Sequence, residues 1–286
     1  MAQKSGIADK PVGVVSNRAY GEARLRVGAV SFLNTKPLIY PLLNGEIPTD
    51  IALSVEVPSR LAVLLKADEL DVGLIPIIEY FRAADAGYHI LPDIAIASHG
   101  SVLSIQLFSR VPISEIRHIA LDTSSRSSIA LLKVLLAEKY GIQPTFTPCA
   151  PSTDPSTSAY QAVLLIGDAA LRRLDATEYS LDLGAAWHEL TGLPFVFACW
   201  VARAGVQLGE APDVLRQART RGITQIPEIA RIESEKLGLP EPLCRDYLQK
   251  HIHYGLGESE IAGLRRFYEL SVKHRLVESG CKVVFA

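Results

Sequence analysis

The stretch Leu25–Gly45, LRVGAVSFLNTKPLIYPLLNG, decides the fold. It opens with an apolar, β-branched run, LRVGAV, as a buried strand requires. It closes with a segment that reads as a short helix. Pro37 stands in the first turn, where a missing N–H is tolerated, Pro41 keeps the helix short, and Asn44-Gly45 ends it. Between strand and helix stand Ser31, Asn34, Thr35 and Lys36, a polar cluster that a core strand does not need. In an α/β unit, groups at the carboxyl end of a strand face the ligand crevice.

Outward from this stretch the pattern repeats. IALSVEVP (51–58) reads as a second strand, and SRLAVLLKADEL (59–70) as a helix with Ser59 as its cap. LDVGLIPI (70–77) is a third strand and IIEYFRAA (77–84) a third helix; HILPDIAIASHG (89–100) and SVLSIQLFSR (101–110) are β-rich. This βαβαβ order implies a parallel sheet with helices on its faces. A second unit starts near Val111. HIALD (118–122) is a strand, TSSRSSIALLKVLLAEKYG (123–141) a helix, FTPCAPSTDPSTS (146–158) a Pro/Ser/Thr-rich loop, and AYQAVLLIGDAAL (159–171) a buried strand leading through a turn into a helix. One more helix and a long apolar strand follow in 179–205, and the rest from Ala211 is nearly all helix. The expectation is an α/β protein of two lobes with a cleft between them. Lobe I takes 24–109 and 198–286, lobe II takes 110–197, and residues 1–23 form a loose polar extension.

The 286 residues allow one large domain or two modest ones. With 48% apolar and 21% charged residues, this is a core-forming globular chain. A net charge of −2, with both signs dispersed, argues against a nucleic-acid or polybasic membrane partner. No apolar run has the length of a membrane span, and the N-terminus has no secretory h-region, so a cytoplasmic location is expected. The oligomeric state is not legible. The four cysteines have no CxxC or Cys/His spacing and read as reduced, mostly buried thiols. His251 and His253 stand two apart, a spacing that turns helical side chains away from each other, so they do not read as a metal pair. His188 is not part of an HExxH motif, and there is no P-loop, GxGxxG or GxSxG.

Four polar strand ends are the candidate site: Ser31–Lys36, Ser98–Ser104, Asp122–Ser128, and Gly167-Asp168. The third is the most telling. Five of six residues from Thr123 to Ser128 are Ser or Thr, at the start of a helix. A cap needs one hydroxyl. Free N–H groups and the dipole at a helix start favour a carboxylate or phosphate, the dipole adding about 0.3–1 kcal/mol. Charge-assisted hydrogen bonds from the hydroxyls add about 1.5–3 kcal/mol each. Arg126 reads either as a surface charge or as an attractor of anions. Taken singly, Asn34 reads as a turn residue and Gly167-Asp168 as a turn with a helix cap. Such a site binds and polarises anions, and no residue stands out as a general base.

The segments VSFLNTKPL, ELDVGLIPIIEY, LDTSSRSSIALLKVLL and DLGAAWHELTGLPFVFACW together resemble the menaquinone-biosynthesis family of chorismate dehydratases, from about Arg24 to the C-terminus. The resemblance implies a periplasmic-binding-protein type II fold, loss of water from the dianion chorismate, and no metal or organic cofactor. It implies active-site roles for Asn34, Ser104, Thr123, Ser124, Ser125, Gly167 and Asp168, with Asn34 and Ser104 as the catalytic pair. Ser31 and Ser101 join them as candidate substrate-binding residues, and the choice between Ser101 and Ser104 stays open. The family usually has tyrosine at the position of Phe32, so no phenol acts there. Two other readings are a small-anion-binding protein without catalysis and the sister 1,4-dihydroxy-6-naphthoate synthase, whose N-terminal motif differs.

Overall fold

The computed structural model describes residues 24–286; the extension expected over 1–23 lies outside them. The opening stretch is β1 (Arg26–Val30), one 3-10 turn (Leu33–Thr35) and α1 (Lys36–Leu43). Then come β2 (Ala52–Glu56), α2 (Pro58–Lys66), β3 (Val72–Pro76), α3 (Ile77–Arg82) and β4 (His89–Ser98). The middle of the chain holds β5 (Ile105–Ser109), β6 (His118–Asp122), α4 (Arg126–Glu138), β7 (Thr145–Cys149), β8 (Ala162–Ile166) and α5 (Gly167–Leu171). β9 (Tyr179–Asp182), α6 (Leu183–Thr191) and β10 (Phe195–Ala202) follow. The tail is helical: α7 (Ala211–Thr224), α8 (Ile226–Leu237), α9 (Glu241–Asp246), a π-helical turn (Tyr247–His251) and α10 (Glu258–Lys273).

Two five-stranded sheets result, in the orders β2-β1-β3-β10-β4 and β7-β6-β8-β5-β9. Each has three parallel strands, joined by helical crossovers except for the irregular 150–161 connection between β7 and β8. Each then adds an antiparallel strand, β10 or β5, that arrives from the other lobe. The sheets are therefore mixed, not purely parallel, because β10 and β5 enter from the opposite end. The lobe boundaries move accordingly. Ile105–Ser109 runs in the second sheet, so the first crossing lies between Ser98 and Ile105 and not at Arg110. Phe195 already pairs with Ser98 in the first sheet, so the return lies before Phe195 and not at 198.

Three local expectations also change. Phe146–Cys149, expected as loop, belongs to β7; it is an edge strand, where Pro148 lacks only an N–H that no neighbour requires. Tyr179–Asp182, which the sequence did not separate from the helix after it, is the other edge strand, β9. Ser59 does not cap α2; the helix starts at Pro58 with Val57 as its N-cap, and the Ser59 N–H instead donates to the Ser124 carbonyl across the cleft (3.2 Å).

α1 shows how packing follows from sequence. Pro41 has no N–H, so it cannot bond the Pro37 carbonyl one turn back. α7 packs against that carbonyl. A Cβ on Gly222 would stand 1.9 Å from the Pro37 oxygen, so only glycine lets the two helices approach this closely.

Candidate active site

The ends of β1 and β8, the crossing segment 99–104 and the start of α4 meet between the two sheets. The cavity there has about 420 Å³ of empty space, the open solvent at its mouth included. Asn34, Ser104, Ser125, Ser128 and Gly167 supply its polar lining, and Phe32, Pro58, Ile166 and Phe197 are among its apolar walls. Among the described residues, no charged side chain lines it. A larger groove beside α7 is open surface, and its Arg216 and Arg221 are paired with Asp213, Asp93 and Glu46. It is the more open of the two.

Each polar group is held from behind. The turn carrying Asn34 is pinned across the cleft by the Leu33 N–H, which donates to Asp168 Oδ1 at 3.1 Å. Burial pushes the Asp168 carboxyl above the usual range, against the pull of that bond. Ser104 is fully buried and its Oγ accepts from the Tyr247 hydroxyl at 2.7 Å. Burial drives the Tyr247 phenol far up, while hydrogen bonds with Ser104 and then Asn34 act the other way. The phenol thus stays protonated and donates to Ser104. Gly167 has φ +59°, a conformation that favours glycine, and a Cβ there would stand 3.0 Å from the Phe32 ring.

The crossing segment is organised by Asp182, the N-cap of α6. Its Oδ2 accepts from Ser101 Oγ (2.8 Å), the Leu103 N–H (2.7 Å) and Gln106 Nε2 (2.9 Å). Its Oδ1 accepts from the Ala185 N–H (2.9 Å), and the Val102 N–H reaches both oxygens. This clamp holds Leu103 in the left-handed region, φ +56°, a strain of the kind found at functional sites.

The α4 start differs from a plain cap. Ser125 is the N-cap residue but makes no side-chain cap bond; its Oγ lies 3.0 Å from Ser128 Oγ. The first N–H groups of a helix have no intrahelical acceptor. Here they sit at the cleft together with the positive end of the dipole. Arg126 pairs through its Nη1 with Glu79 Oε2 at 2.6 Å, which offsets its charge.

Comparisons with known proteins show the family. The family model described as menaquinone biosynthesis matches residues 25–273. A chorismate dehydratase of Thermus thermophilus is 34% identical over 231 residues, covering 74% of this chain and 84% of that protein.

The chain belongs to the menaquinone-biosynthesis family.

Solved structures bear on the fold. A crystal structure from Archaeoglobus fulgidus matches with a TM-score of 0.71 at 20% identity, over 89% of this chain and 98% of that one. The periplasmic aliphatic sulphonate binding protein of Escherichia coli matches with a TM-score of 0.61 at 17% identity, over 90% and 89%. The architecture of this family member is that of a periplasmic-binding-protein-like fold.

Not every expected site residue reaches the cavity. Asn34, Ser104, Ser125 and Gly167 line it. Asp168 stands behind it and holds the Asn34 turn. Ser101 has its hydroxyl committed to Asp182, which separates it from Ser104. Thr123 is exposed, and Ser124 gives both its N–H and its hydroxyl to Asp122 Oδ1. Ser31 is half-buried and does not line the cavity. The sequence reading has Ser128 only as the end of the Asp122–Ser128 run and gives Tyr247 and Asp182 no site role. Ser128 belongs to the hydroxyl cluster and was within reach. Asp182 carries an N-cap signal, an Asp just before an apolar helical run. Tyr247 carries none, because its partner Ser104 is 143 residues away.

Proposed function

We propose that this chain removes water from chorismate to give 3-[(1-carboxyvinyl)oxy]benzoate, acting as a carbon–oxygen lyase in the futalosine route to menaquinone. One observation carries the reading: an interlobe cavity lined by amide and hydroxyl groups, set at a helix start, with apolar walls and, among the described residues, no charged lining side chain. The activity of the Thermus thermophilus relative supports it.

Chorismate carries two carboxylates, and the reaction removes the hydrogen on ring carbon 3 and the hydroxyl on carbon 4. The carbon 3 hydrogen is acidified because the ring diene conjugates with the ring carboxylate. As the C–H bond breaks, negative charge develops on that carboxylate, where the α4 N–H groups and Ser125 stabilise it as an oxyanion hole does. Ser104, held by Tyr247, and Asn34, on the turn pinned by Asp168, orient the enolpyruvyl group and the leaving hydroxyl. Among the described residues, the cavity lining offers no carboxylate or imidazole as base. The enolpyruvyl carboxylate of the substrate therefore takes the proton. Hydroxide departs from carbon 4, the ring becomes aromatic, and the proton and hydroxide leave as water. Closure of the lobes fixes the reactive conformer and keeps bulk water out.

The test is incubation of the purified protein with chorismate, following chorismate loss and the aromatic enol ether by chromatography with mass detection. Turnover is expected, with Asn34→Ala and Ser104→Ala each lowering kcat/KM by about 10²-fold, the scale of one lost oxyanion-hole donor. Tight binding without turnover would make the protein a binder. Wild-type kcat/KM in both variants would remove these residues from the mechanism.

A further inference from the structure

Away from the cavity lining, three ligand-type side chains converge at the end of β4. His99 lies just past the strand, His253 follows the π-helical turn, and Glu260 stands in the first turn of α10. Their placement comes from the backbone. Ala97 and His253 exchange both backbone hydrogen bonds, at 2.9 and 2.8 Å, in an isolated antiparallel bridge. Residues opposed across such a bridge share a face, and His99, two residues on from Ala97, returns to it. The two imidazole centroids are 4.3 Å apart. His99 Nε2 lies 2.5 Å and His253 Nε2 3.8 Å from Glu260 Oε1, and one donor atom of each residue lies within 4.8 Å of the others.

Glu260 is only 3% exposed, yet among the described residues its ion pairs are with these two histidines and with no lysine or arginine. Its orientation is set in advance: Oε2 accepts from the Gly257 N–H at 2.8 Å, and Oε1 from Ser259 Oγ at 2.9 Å. Both histidine side chains are about half exposed, at 47% and 48%, so the cluster opens to solvent. Gly255 also leaves room, since a Cβ there would stand 2.9 Å from His253 Nε2.

We propose that His99, His253 and Glu260 bind one divalent transition-metal ion of the zinc class, with the remaining coordination position open to solvent. Two imidazoles and one carboxylate suit zinc and its neighbours, whereas calcium and magnesium seek oxygen ligands and thiolates select softer ions. Ligands bound at about 2.0–2.1 Å in a tetrahedron stand about 3.3 Å apart. The half-exposed His99 ring swings outward by under 1 Å to reach that spacing, an order-of-magnitude adjustment for an exposed rotamer. The ion ties the first residue of the crossing segment, which delivers Ser104 to the cavity, to α10 of the first lobe. It is a structural site outside the cavity lining.

The test is calorimetric titration of Zn²⁺ into tag-free, chelator-dialysed, reduced protein. One saturable site per chain is expected. His99→Gln and His253→Gln should each weaken it at least about tenfold, the scale on which support of a metal site is lost. Cys149→Ser and Cys281→Ser should leave it unchanged. Co²⁺ should give visible d–d bands that His253→Gln abolishes. Absence of saturable binding in the wild type overturns the proposal. So does binding that survives both histidine substitutions, or that is lost only with the cysteines.

Discussion

Asp182→Asn isolates the clamp that shapes the crossing segment. In the wild type the carboxylate accepts from Ser101, Val102, Leu103, Gln106 and Ala185 at 2.7–3.1 Å. The isosteric amide keeps one acceptor oxygen. Its better orientation leaves that oxygen in the Oδ2 position, facing Ser101, Val102, Leu103 and Gln106. The amide NH₂ then confronts the Ala185 N–H, so the α6 cap is lost, at about 1 kcal/mol. The four remaining bonds lose their ionic partner, and each weakens by about 0.5–1 kcal/mol. The combined cost is about 3–5 kcal/mol, in the range that marks a broken buried network. Hydrogen exchange reads it locally. The Val102, Leu103 and Ala185 amides should exchange about 10²-fold faster or more, at one decade per 1.4 kcal/mol, while β1 amides change less. Because the segment carries Ser104, kcat/KM should fall with it, and Leu103 should relax from its left-handed conformation. Unchanged exchange at these three amides with wild-type kcat/KM would refute the reasoning.

Three further outcomes follow from other contacts. Asp168→Asn keeps an acceptor for the Leu33 N–H and should retain near-wild-type kcat, read by the chorismate assay; a drop of about 10²-fold or more, typical of a lost acid–base group, would place Asp168 in the proton transfer. Gly222→Ala forces a Cβ onto the Pro37 carbonyl and should destabilise the fold by about 1–3 kcal/mol, seen as a lower urea midpoint at constant slope. Asp71 is held well below the usual carboxylate range, first by the Arg26 side-chain bond, with burial opposing and Arg203 assisting. A depressed carboxylate contributes stability that is full above the unfolded value near pH 3.9 and lost as pH falls toward the folded value. Stability measured from pH 6 down to pH 2 should therefore fall less steeply below about pH 4 in Asp71→Asn than in the wild type.

The sequence by itself determined the α/β class, two lobes, and the polar strand ends on which the site is built. Those properties are local: LRVGAV is apolar enough to be a buried strand, Pro37 and Asn44-Gly45 delimit α1, and the Ser/Thr run marks the start of α4. Only the tertiary structure decided which strand ends meet. β5 and β10 cross between sheets, and that exchange moved both lobe boundaries and brought Ser104 opposite Asn34. Only the structure separated Ser104, joined to Tyr247, from Ser101, joined to Asp182. Only the structure placed His253 beside His99 and Glu260 when its sequence neighbour was His251. The reason is the range of the interactions. Propensity, capping and periodicity act over a few residues and leave their mark in the string. A hydrogen bond between residues 143 positions apart depends on how whole elements pack, and no short segment encodes it.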